Sequence, residues 1–190
     1  AHAARPSGDA IRPDGTALFV ADGYNHKIRR VEVATGAVTT IAGSGENGDA
    51  DGVGEAAQFD GPAGIAISPD GSALFVADFG NHQIRRVEVA TGAVTTVAGS
   101  SAEGSADGVD GAAECCGPWG VTVSPDDSAL FVADTANHKI RRVEVATGAV
   151  TTLAGSGEQG DADGVGGAAQ FSAPYGVTVS PDGSALFVAD

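Results

Sequence analysis

The chain has 190 residues, of which 29 are glycine, 10 basic and 25 acidic, and its formal charge is −15 at neutral pH. That charge repels phosphate backbones and anionic lipid surfaces, which argues against nucleic acid and membranes as partners. Two cysteines cannot build a disulfide scaffold, and no apolar run approaches the roughly 18 residues of a membrane-spanning helix.

The predicted elements repeat along the chain. Ala21-Asp22-x-x-Asn25-His26 returns as Ala77-Asp78-x-x-Asn81-His82 and as Ala133-Asp134-x-x-Asn137-His138, 56 residues on each time, and Ala189-Asp190 starts it once more. The period divides the chain into a tail at 1–4, units at 5–60, 61–116 and 117–172, and a partial unit at 173–190. Within the second unit, Gly64 to Ser68 alternates as a strand and ends at Pro69-Asp70-Gly71, where proline presets φ and glycine accepts a positive φ. Ala73 to Ala77 is apolar throughout, the mark of a strand buried on both faces. Beyond the Asn81-His82 loop, Ile84 to Val89 is a third strand carrying two arginines. A turn at Ala90 to Ala93 leads to a fourth strand, Val94 to Ala98. No stretch has helical periodicity with a cap. The expected fold is an all-β propeller of four-stranded antiparallel blades: three full blades and the first two strands of a fourth, within a ring of six.

The core A-D-x-x-N-H-x-I-R, preceded by G-I/V-x-x-S-P-D-G-x-x-L-F-V, resembles the NHL repeat across essentially the whole chain. It departs from the family name only at Lys27, Gln83 and Lys139, which stand where the name has leucine. The resemblance implies a propeller. It leaves function open among protein- and RNA-binding modules, extracellular domains and relatives of lyases and lactonases.

The first copy is atypical, with Asp9 where Ile65, Val121 and Val177 stand, and the last copy stops after its second strand. Three and a third blades cannot close a ring, so completion by further sequence or by another chain is expected.

Asp22, Asn25, His26, Asp78, Asn81, His82, Asp134, Asn137 and His138 are read as loop-fastening residues. One histidine per blade does not converge on a single ion, and short polar side chains tie tight loops to nearby backbone. Eight of the ten basic residues lie in the third strands. Glu32, Glu88 and Glu144 follow the arginine pairs two positions on, so ion pairing between blades is expected of them. The long connections after the fourth strands carry Asp49, Asp51, Asp107, Asp161 and Asp163. Asp-x-Asp-Gly is a fragment of a calcium loop, which makes Asp49, Asp51, Asp161 and Asp163 weak calcium candidates in a chain otherwise expected to hold no metal or cofactor. The connections and the Asn-His loops emerge on one face, which is expected to be strongly acidic.

Positions that differ between near-identical copies fall on that face too. Tyr24 and Phe79 follow the second strands, and Trp119 and Tyr175 sit in the Pro-x-Gly lead-in to the innermost strands. Aromatic residues in a charged rim suit a recognition surface when they are contiguous. Cys115-Cys116 replaces Phe59-Asp60. Cys115 is expected to fill core space, and the pair is open to a strained vicinal disulfide or a link to another segment.

The expected function is a non-catalytic interaction or structural module of a larger assembly. Its binding residues would be Tyr24, Phe79, Trp119, Tyr175, Asp49, Asp51, Asp107, Asp161 and Asp163, and its partner a protein, favourably a basic segment. The alternatives are a metal-dependent lyase or hydrolase with a channel ion, and purely architectural assembly of blades between chains. The glycine- and alanine-rich acidic composition leans toward an extracellular setting over the cytoplasm.

Overall fold

Alternating apolar residues followed by Pro-Asp turns put strands at regular intervals. A computed structural model describes residues 6–109 and 112–190, and the tail at 1–4 lies outside the described residues. The first blade is β1 (Pro6–Ile11), β2 (Ala17–Asp22), β3 (Lys27–Glu32) and β4 (Val38–Ala42). After a two-residue strand, β5 (Gly52–Val53), the second blade is β6 (Pro62–Ile67), β7 (Ala73–Asp78), β8 (Gln83–Glu88) and β9 (Ala93–Ala98). The third is β10 (Pro118–Val123), β11 (Ala129–Asp134), β12 (Lys139–Glu144) and β13 (Val150–Ala154), and β14 (Gly176–Val179) with β15 (Leu186–Ala189) begins a fourth. Strands consecutive in each blade pair antiparallel. The Pro-Asp turns are held by their own side chains: Asp70 Oδ1 accepts from Ser68 Oγ at 2.6 Å and from the Ser72 backbone N–H at 2.9 Å.

The apolar faces pack blade against blade. Phe19, Ala21 and Ile28 of blade 1 meet Leu74, Val76 and Val87 of blade 2, while Phe75, Ala77 and Ile84 of blade 2 meet Leu130, Val132 and Val143 of blade 3. Successive residues of β7 therefore serve opposite cores, which is why that strand is apolar at every step. The innermost strands approach so closely that a Cβ on Gly64 would collide with the Trp119 carbonyl oxygen, and Gly8 and Gly120 repeat this crowding against Ala63 and Tyr175.

One strand went unpredicted. β5, in the connection leaving blade 1, pairs with the outer strand β9 of blade 2, and Gly108 bridges Val150 of blade 3 likewise. Two residues are too few to show any periodicity.

Candidate functional site

Asp22, Asp78 and Asp134 end the second strands. Each is followed by a 3-10 turn, Gly23–Asn25, Phe79–Asn81 or Thr135–Asn137, that stops at a histidine in the left-handed region, with φ of 52° at His26, 56° at His82 and 54° at His138. That conformation places Nδ1 where it accepts a backbone N–H from the start of the next unit: Gly61 to His26 at 3.2 Å, Gly117 to His82 at 3.1 Å and Ala173 to His138 at 2.9 Å. The asparagines reach the connections, Asn81 Nδ2 donating to the Gly48 carbonyl and Asn137 Nδ2 to the Gly104 carbonyl, both at 2.7 Å.

The aspartates hold a buried guanidinium. Asp78 accepts from the Asp60 N–H at 2.8 Å, Asn81 Nδ2 at 2.8 Å and Arg85 Nη1 at 2.9 Å. Burial pushes its carboxyl up to about 6, with those donors pulling the other way. Asp134 repeats the arrangement with Asn137, the Cys116 N–H and Arg141, and burial raises its carboxyl too. Arg85 and Arg141 are fully buried. Their second Nη binds a connection aspartate, Asp51 at 2.7 Å and Asp107 at 2.9 Å.

This corrects the ion pairing expected from the sequence. Among the described residues these glutamates do not bridge blades: Glu32 pairs with Arg30 at 2.5 Å, and Glu88 pairs with Arg86, on their own strands. Residues two apart on a strand share a face and lie within side-chain reach, whereas the first arginine of each pair points into the blade, where the strand-ending aspartate waits.

The connection aspartates accordingly divide. Asp51 and Asp107 hold arginines and also bond Thr96 and Thr152. Asp49 accepts from Ser101 Oγ at 3.0 Å, and Asp161 and Asp163 are exposed. No group of three or more His, Cys, Asp or Glu side chains among the described residues is placed to hold a metal ion. Cys115 is buried in the place of Phe59, and Cys115 and Cys116 are free thiols.

Three of the four loop aromatics come together. Tyr24, Phe79 and Trp119 line one concavity of about 510 Å³ with Ser7, His26, Asp60 and Ala63. The Phe79 and Trp119 rings meet edge to face, with centroids 5.3 Å apart at 77°. Exposure is 60% for Tyr24, 39% for Phe79 and 38% for Trp119, so each ring keeps an open side. Tyr175 is exposed on the partial blade, outside this concavity, while Thr135 turns its hydroxyl to the Pro174 carbonyl at 2.7 Å. Asp60 is the member missed from sequence. Its signal was variation at one position of the repeat, where the copies read Asp60, Cys116 and Ser172.

Four-stranded antiparallel blades packed face to face, with the loops of consecutive units converging on one rim, define a β-propeller chain. A family model described as the NHL repeat matches residues 59–87, so this β-propeller chain carries an NHL repeat in its second unit. It is 33% identical over 163 residues to NHL repeat-containing protein 2 of Bos taurus, covering 79% of this chain and 22% of that protein. It is 30% identical over 189 residues to Protein SUPPRESSOR OF QUENCHING 1, chloroplastic, of Arabidopsis thaliana, covering 95% of this chain and 18% of that protein. The chain thus spans about a fifth of the length of the curated relatives it matches. Among solved structures, an auxiliary nutrient binding protein from Bacteroides thetaiotaomicron superposes with a TM-score of 0.76 at 21% identity, over 96% of this chain and 44% of that one, a likeness of fold.

Proposed function

We propose that the chain is a non-catalytic protein-interaction module that docks a basic segment of a partner protein on its acidic loop face. The observation that carries this is the contiguity of Tyr24, Phe79 and Trp119 around one concavity, with rings from three successive units. Scattered exposed rings are ordinary, but contiguous aromatic surface inside a polar rim is the usual composition of a binding centre. The three connections carry Glu46, Asp49, Glu103, Glu158, Asp161 and Asp163, and an acidic rim built from them would draw a basic segment by its long-range field while the rings seat it. The innermost strands favour binding over chemistry, since Asp9 on β1 is their one acid among the described residues, and β6, β10 and β14 carry no acid or histidine.

Titration of the chain with peptides graded in net charge tests the proposal. Affinity is expected to rise with positive charge, fall with added salt, and drop at least tenfold in Trp119→Ala or Phe79→Ala. Binding of basic peptides that is unchanged in both variants overturns the site. Binding at this face needs no metal, so a chelator is expected to leave it unchanged.

A further inference from the structure

Asp60 puts a carboxylate in an aromatic setting. It lines the concavity beside Tyr24, Phe79 and Trp119, and among the described residues no lysine or arginine lines it. Its side chain is 38% exposed, and the nearest titratable nitrogen, His26 Nδ1, lies 3.6 Å away and is already accepting the Gly61 N–H. A carboxylate beside apolar rings attracts a cationic side chain.

The chain itself shows what fits such a place. Arg85 lies over the Phe59 ring, with its Cζ 5.4 Å from the ring centroid, and is bound by the carboxylates of Asp78 and Asp51. The concavity presents the same kinds of group, aromatic rings and a carboxylate, with the guanidinium missing. We propose that this seat takes the side chain of an arginine from a partner protein, stacked on the open rings and paired with Asp60. Arginine suits it better than lysine, because a planar guanidinium can stack on a ring and bind a carboxylate through two N–H groups at once. About 510 Å³ leaves room for the residues that flank the arginine. The proposal rests on the docking role above and names the group recognised there.

Trp119 is the chain's single tryptophan, so its emission reports occupancy of the seat. The 190-residue chain is titrated with acetyl-Gly-Arg-Gly-amide, and with the same tripeptide carrying citrulline, a neutral isostere. The arginine peptide is expected to give a saturable emission change, and the citrulline peptide at least tenfold weaker binding. Asp60→Asn, nearly isosteric, should weaken the arginine peptide about tenfold and leave the citrulline peptide unchanged. Tyr24→Ser removes an exposed ring outside the core and should weaken both. The seat is overturned if Asp60→Asn binds the arginine peptide as the parent does, or if citrulline binds equally well. It is also overturned if a neutral saccharide gives an emission response that Asp60→Asn leaves unaltered. If the arginine tripeptide gives no Trp119 response while longer basic peptides bind by calorimetry and lose affinity in Phe79→Ala or Trp119→Ala, the arginine seat is overturned and the docking role stands, whereas absence of binding by both measures overturns both.

Discussion

Asp51, in the connection that leaves blade 1, accepts a hydrogen bond at 2.7 Å from Nη2 of Arg85, which is buried inside blade 2. Asp107 and Arg141 repeat the relationship between the next connection and blade 3 at 2.9 Å. Each connection is therefore fastened to the blade it enters, by a guanidinium whose other Nη belongs to that blade's own strand-ending aspartate.

The two acids on Arg85 should differ in their effect. Asp78 is fully buried, so Asp78→Ala takes the buried partner from Arg85, leaves it only the half-exposed Asp51, and should cost about 3 kcal/mol in urea unfolding. Asp51 is half exposed, and water replaces much of what it supplies, so Asp51→Ala should cost about 1 kcal/mol or less. Equal losses in the two variants would refute this division.

Asp127 occupies a glycine's conformation. Its φ is 60°, where Gly15, Gly71 and Gly183 at the same turn position have 72°, 74° and 74°. Its Oδ1 is buried without a hydrogen-bond partner, and burial, with the Asp70 charge second, raises its carboxyl. Asp127→Gly relieves the backbone, the orphaned oxygen and the like charge together, and should stabilise the chain by about 1 kcal/mol in thermal or urea unfolding. The reverse change, Gly71→Asp, should destabilise.

Stability should pass through a maximum near pH 4. Hydrogen bonds from neighbouring serines hold the carboxyls of Asp70, Asp126 and Asp182 at about 2, below the 3.8 of an unfolded chain, so their contribution is present above about 4 and is lost as pH falls toward 2. Asp78 acts in the opposite sense. Its carboxyl stands at about 6, so the folded state binds the extra proton, and stability falls as pH rises from about 4 through 6. Urea midpoints across this range check both limbs: Asp70→Asn should flatten the acid limb and Asp78→Asn the upper one.

The two thiols should be chemically distinct. Cys115 is buried, and burial pushes its thiol up to about 12, with the Asp134 charge adding to the effect. Cys116 is partly exposed, and its thiol is raised by slight burial and by Glu103. A thiol reagent at pH 8 should modify Cys116 in the native chain and Cys115 only on unfolding. Equal rates would show that the Cys115 pocket opens.

The strand layout was legible in the primary sequence because each signal is local. Alternation, Pro-Asp-Gly turns and the fully apolar run at Ala73 to Ala77 act within a few residues, and repetition at 56 residues multiplied each of them. The loop-fastening role of the Asp, Asn and His residues was also legible, since short polar side chains at a tight turn have few other uses. Their partners were not. Arg85 finds Asp51 across 34 residues and His26 finds Gly61 across 35, and such pairings depend on how one blade stacks on the next. The same holds at the candidate site. Sequence alone placed aromatics in loops and acid on one face, but only blade packing brought Tyr24, Phe79 and Trp119 around Asp60 and left Tyr175 apart. A concavity built from several blades has no local signature, because the distances that define it are set by the inter-blade core and the close-packed inner strands.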